Sequence, residues 1–96
     1  MKVIVLMSTY NGERFLKEQI ESILNQKGAF QLDLVVRDDG SSDGTVNILE
    51  YYKNKKLLNW YSGENLGPAL SFIDLLYNSK EYDYYAFADQ DDFWQD

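Results

Sequence analysis

The chain has 96 residues, no histidine, no cysteine, and 16 acidic against 9 basic side chains for a net charge of −7. This length makes one small domain, and the acidic balance argues against a nucleic-acid footprint. Without thiols or imidazoles there is no disulfide framework and no thiol nucleophile, and a bound metal must take oxygen ligands, which favours Mg²⁺ or Mn²⁺ over zinc.

No apolar run approaches the roughly 18 residues of a membrane span. The opening segment Lys2-Val3-Ile4-Val5-Leu6-Met7 is too short for a signal-peptide core. It is continuously apolar rather than alternating, as in a central parallel strand covered on both faces. It ends in Ser8-Thr9-Tyr10-Asn11-Gly12, a cluster of turn formers and hydroxyls. From Glu13 to about Gln26, Leu16, Ile20, Ile23 and Leu24 share one helical face, with Asn11 as the expected N-cap and Gly28 as the stop. Leu32 to Val36 reads as the second strand. The next helix starts at Asp43 or Thr45, turns Val46, Leu49 and Tyr52 inward, and fades in Lys53-Asn54-Lys55-Lys56. Leu57 to Tyr61 is a short third strand. The loop 62–68 enters a third helix whose expected inner face is Leu66, Leu70, Ile73, Leu76 and Tyr77, with Pro68 in its first turn. Tyr84 to Ala88 is the fourth strand.

The order β-α-β-α-β-α-β, without repeat or domain boundary, implies an α/β domain with a parallel sheet. The loops 8–12, 38–44, 62–68 and 89–92 each follow a strand. In a parallel sheet they gather at the carboxyl edge, where open α/β folds bind ligands.

Asp89-Gln90-Asp91-Asp92 places three carboxylates within four residues at the end of an aromatic strand. Neighbouring carboxylates repel, so the arrangement makes sense around a cation. The bland reading is a capped helix start with solvated acids. The donor spacing is wrong for a helix–loop–helix calcium site, because the next donors would be Phe93 and the glycine position Trp94. Asp38-Asp39-Gly40-Ser41 is by itself a strong turn signal; its position, one strand away from the first acid cluster, gives it a second reading as an acceptor of ligand N–H or O–H groups. Ser8-Thr9-Tyr10-Asn11 offers hydroxyls, a ring and amides at a helix start. Asn65-Leu66-Gly67-Pro68-Ala69 reads first as a shaped turn. Neither a Walker loop nor G-x-G-x-x-G is present.

In combination, three strings resemble the N-terminal, nucleotide-binding part of a family 2 glycosyltransferase. They are Val5-Leu6-Met7-Ser8-Thr9-Tyr10-Asn11-Gly12, Val36-Arg37-Asp38-Asp39-Gly40-Ser41-Ser42-Asp43-Gly44-Thr45 and Ala88-Asp89-Gln90-Asp91-Asp92, with Asn65-Leu66-Gly67 similar to the family's N-x-G segment. The resemblance implies a Rossmann-like three-layer sandwich of the GT-A, nucleotide-diphospho-sugar transferase type. Residues 1–96 would be a single nucleotide-sugar-binding domain ending after the fourth strand, part of a longer enzyme. It implies nucleotide contacts at Ser8, Thr9, Tyr10, Asp39, Asn65 and Asp89, and Mg²⁺ or Mn²⁺ on Asp91 and Asp89. The Asp-Gln-Asp-Asp-Phe-Trp form is similar to rhamnosyltransferases of bacterial surface polysaccharides.

The implied reaction is metal-dependent, inverting transfer of a sugar from a UDP- or dTDP-sugar to a saccharide hydroxyl, in the cytoplasm or at the inner membrane surface. The implied catalytic base lies beyond Asp96. Self-association through the uncovered sheet edge is the physical expectation for such a fragment. A non-catalytic GT-A-like module for nucleotide binding or interaction is the alternative. A receiver-like domain fits poorly, since strand one ends in Ser-Thr-Tyr-Asn rather than acids.

Overall fold

The computed structural model describes residues 2–25, 31–79 and 84–89. The elements are β1 (Lys2–Thr9), α1 (Glu13–Leu24), β2 (Gln31–Asp38), α2 (Thr45–Asn54), β3 (Asn59–Ser62), α3 (Pro68–Tyr77) and β4 (Tyr84–Asp89). The four strands form one parallel sheet in the order β3-β2-β1-β4. β1 therefore has a strand on each side, and its apolar run is buried from Ile4 to Met7.

Alternation along β1 divides that run between two cores. Val5 and Met7 face one layer with Leu16, Ile20 and Ile23 of α1 and Leu49 and Tyr52 of α2. Ile4 and Leu6 face the other layer, where Leu75 of α3 is buried and Val35, Tyr61 and Phe72 pack around them. The three layers follow from this split. The same parity puts Ser8 and Arg37 on the α3 side.

The strands run further than their apolar residues suggest. β1 and β2 continue through Ser8↔Arg37 and Thr9↔Asp38 in an unbroken parallel register, so four polar residues end the ladder. β3 is displaced toward the site, to Asn59–Ser62. α1 ends at Leu24, and the expected stop at Gly28 lies outside the described residues.

Two expectations about helices are corrected. The α1 N-cap is Gly12, not Asn11; Asn11 takes a left-handed φ of 49°, a conformation in which asparagine is enriched. Its amide N–H donates to Ser41 Oγ (2.8 Å), and its Oδ1 accepts from Ser42 N (2.8 Å). Asn11 thus bridges two loops instead of capping its own helix.

The second correction concerns α3. Ser71 and Leu75 are fully buried, whereas Leu66, Leu70, Ile73, Leu76 and Tyr77 are all exposed. The reason is electrostatic. Arg37 lies under this helix and its buried charge must be paired, so the face bearing Ser71 and Asp74 turns inward. Apolar residues lie almost all round α3, and hydrophobicity alone does not choose between its faces.

Candidate functional site at the carboxyl edge

The loops between strands and helices at this edge hold one another by reciprocal bonds. Neither Gly12 nor Gly44, the N-caps of α1 and α2, has a side chain to cap with. Thr45 Oγ1 accepts from Gly12 N (3.0 Å), Asp43 Oδ2 accepts from Glu13 N (3.3 Å), and Glu13 Oε1 accepts from Gly44 N (3.0 Å). Asp43 Oδ1 also accepts from Thr45 N at 2.9 Å. Each helix start is capped by the other's residues, which satisfies amides that would otherwise be orphaned. Burial pushes the Asp43 carboxyl up, but the bonds from Thr45 and the Glu13 amide outweigh it and hold the group below its ordinary value.

These contacts divide the Asp38–Thr45 string by role. Asp38 Oδ2 accepts from Ser41 N (2.9 Å) and Oδ1 from the Ser41 hydroxyl, closing the turn after β2. Asp43 serves the helix starts. Asp39 alone turns toward the segment before α3: Oδ1 accepts from Leu66 N and Oδ2 from Gly67 N, each at 3.0 Å. Gly67 has a φ of +85°, a region open to glycine that aims its N–H at the carboxylate.

Asp39 is 3% exposed and paired with Arg37, also 3% exposed. Burial would raise the Asp39 carboxyl, but the bonds from Leu66 N, the guanidinium and Gly67 N prevail and set it below the usual carboxylate value. Arg37 Nε donates to Asp74 Oδ2 (3.0 Å), and Tyr61 Oη donates to the same oxygen (2.7 Å). Burial and then this carboxylate push the Tyr61 phenol up to about 12.

The other expected site residues fall around this cluster. Ser8 is buried and its hydroxyl donates to Ser71 Oγ (2.7 Å). Thr9 is buried, and its carbonyl accepts from Asp39 N (2.8 Å). Tyr10 is 44% exposed. Asn65 is exposed, and its segment lies against Gly40. Asp89 ends β4 in register with Ser8, which is itself in register with Arg37 on the far side. Two strand spacings, about 10 Å, therefore separate the ends of β4 and β2, with β1 between them. Asp91 lies outside the described residues. Among the described residues, a cavity of about 290 Å³ between Leu32, Lys53, Lys56 and Asn59 sits at the opposite edge, where β2 and β3 begin.

Arg37, Ser71 and Asp74 are not among the residues expected from the sequence. A cation inside an apolar strand beside two acids is the available signal for Arg37. Nothing local marks the two α3 residues.

Known proteins resemble this chain in sequence and in fold. The family model described as "Glycosyl transferase family 2" matches residues 4–96. The dTDP-rhamnosyl transferase RfbG of Shigella flexneri is 35% identical over 98 residues, covering 92% of this chain and 32% of that protein. The crystal structure of Staphylococcus aureus TarS 1–349 in complex with UDP-GlcNAc superposes with a TM-score of 0.82 at 34% identity, over 97% of this chain and 27% of that one. The mannosyltransferase PcManGT from Pyrobaculum calidifontis, in complex with GDP-Man and Mn²⁺, gives a TM-score of 0.82 at 25% identity, over 96% of this chain and 28% of that one. The chain thus spans about a third or less of the proteins it matches. Its sheet is that of the GT-A fold, and the chain belongs to glycosyl transferase family 2.

Proposed function

We propose that residues 1–96 form the donor-binding part of an inverting, divalent-metal-dependent hexosyltransferase acting in bacterial surface polysaccharide synthesis. The donor is a UDP- or dTDP-sugar and the acceptor a saccharide hydroxyl. The observation that carries this reading is that Ser8, Asp39 and Asp89 lie along one sheet edge in a family 2 chain. TarS is known in complex with UDP-GlcNAc, and RfbG is named for a dTDP-sugar.

Within that reading, Asp39 accepts an N–H of the nucleobase, Tyr10 stacks on it, and Thr9 and Asn65 border the base and ribose. Ser8 lies against the base and ribose with them, and its hydroxyl is oriented by Ser71 Oγ. Asp89, beside Ser8 at the end of β4, meets the ribose side of the diphosphate.

The chain's donors fit a hard cation, since histidine and cysteine are absent and the sequence puts three carboxylates within the four residues 89–92. Asp91 and Asp89 are the residues that would hold it. When bound, such an ion supplies Lewis-acid neutralisation of charge on the departing diphosphate. The acceptor hydroxyl then needs a general base, and residues 1–96 contain no group we assign to that task.

Isothermal titration with UDP and dTDP, each with and without Mn²⁺, tests the reading. The expected outcome is Mn²⁺-dependent binding that Asp91→Asn reduces at least about tenfold, the scale of losing one charged ligand contact. Binding of neither nucleotide would leave only a scaffold role for this fold.

A further inference from the structure

Arg37 is the unexpected feature of this edge. Its guanidinium is buried beneath α3 and reaches three separate pieces of chain. Nη1 donates to Asp39 Oδ1 and to Ser71 Oγ (3.3 Å), Nε to Asp74 Oδ2 (3.0 Å), and Nη2 to the Glu64 carbonyl (3.0 Å). Asp39 in turn accepts from Leu66 N and Gly67 N. The result is a closed ring: Arg37 grips Asp39 and Glu64, and Asp39 grips the residues just after Glu64. A Cβ at Gly63 would collide with the guanidinium, so the 63–67 segment approaches this closely only with glycine there.

An ionised carboxylate has about four lone-pair positions. Oδ1 of Asp39 is used twice, by Arg37 and Leu66 N, while Oδ2 is used once, by Gly67 N. Among the described residues, one acceptor position remains, on Oδ2. A single, fixed, ionised acceptor matches a nucleobase that presents one N–H, as the imide of uracil or thymine does. Cytosine presents a lone pair at the same ring position, so two acceptors would face each other without a proton between them, and a buried acceptor left unpaired is penalised.

We propose that Arg37 is a positioning residue that makes the site selective for an imide-bearing nucleobase, by holding Asp39 with one acceptor open and pinning the 63–67 segment beside it. The inference rests on the nucleotide-sugar reading above. Lysine is no substitute, because one ammonium cannot span Asp39, Asp74 and the Glu64 carbonyl as a planar fork does.

The test is calorimetric titration of the protein with UDP and with CDP, in Mn²⁺, for the wild type, Arg37→Met and Asp74→Asn. Wild type is expected to prefer UDP. Arg37→Met is expected to lose about tenfold of that preference, equivalent to one hydrogen bond to a charged group, with CDP affinity little changed. Asp74→Asn removes the charge that faces Nε and the Tyr61 hydroxyl, both of which donate to the same oxygen, at a side chain 37% exposed; it leaves the bonds to Asp39 and Glu64 in place and is expected to lower the UDP-to-CDP ratio by a smaller factor. It decides the matter alone if Arg37→Met does not fold. A purely structural role would weaken both nucleotides equally, so an unchanged ratio in the folded variants overturns the proposal, as does a wild type that binds both alike. Failure of the wild type to bind either nucleotide overturns the nucleotide reading itself.

Discussion

Gln19 illustrates how a single side chain can oppose the fold that buries it. It is 0% exposed on the inner face of α1, and both ends of its amide lack a hydrogen-bond partner among the described residues. Desolvating an amide without replacing its bonds is unfavourable, while an apolar side chain of similar shape carries no such penalty. Gln19→Met is therefore expected to raise unfolding stability by about 1 kcal/mol, read from the urea midpoint at constant m-value. Arg37 is the opposite case: an equally buried polar group with its donors engaged by Asp39, Asp74, Ser71 and Glu64. The difference between them was not legible in the sequence, since both are polar residues within amphipathic elements. What distinguishes them is whether partners from distant segments arrive.

At the scale of elements, the starts of α1 and α2 depend on each other. Asp43 accepts from amides of both helices, so its removal unsatisfies two N-termini at once. Asp43→Ala is expected to destabilise by about 2 kcal/mol, the upper end for a lost N-cap, measured by chemical denaturation. α3 provides a paired test of its orientation. Leu75→Ala, at a fully buried position, is expected to cost about 2–5 kcal/mol. Ile73→Lys, at a position 60% exposed, is expected to stay within about 0.5 kcal/mol of wild type. The reverse ranking in thermal melts would mean that the expected face, not the observed one, meets the sheet. The expected inner side of α3 and its buried side differ for a physical reason. Leu66, Leu70, Ile73, Leu76 and Tyr77 form the more apolar stripe, but the sheet beneath presents Arg37 and Ser8, and these require polar partners.

For the molecule as a whole, charge couples stability to pH. Asp39, Asp43 and Asp74 are all held below their ordinary carboxylate value of 3.8. For Asp74 the Tyr61 hydroxyl is the largest cause, with Arg37 adding to it against the opposing effect of burial. A carboxyl whose value is depressed in the fold takes up its proton more readily when unfolded. Its stabilisation is fully present above the unfolded value and is lost as pH falls through the folded one. Urea midpoints are therefore expected to hold level from about pH 7 to about pH 5 and then fall progressively below about pH 4. Neutralising Asp39 and Asp74 by mutation should flatten that acid limb. Tyr61 acts at the other end, since its raised value makes its contribution one that persists below the ordinary phenol value of 10 and is lost as pH rises through about 12.

The alternation of apolar runs and helical faces was enough to determine the element order, the parallel α/β class and the gathering of the loops after each strand at one edge. Those are consequences of local periodicity and of chain connectivity, and both are written along the chain. The string motifs determined the family for a related reason, because their residue types and order survive without reference to contacts. Tertiary structure decided the rest: which acid of Asp38, Asp39 and Asp43 turns toward the segment before α3, which face of α3 is buried, and that Arg37 lies at the centre of the edge. Each of these depends on satisfying a buried charge or amide from a segment dozens of residues away, and no local pattern encodes that meeting.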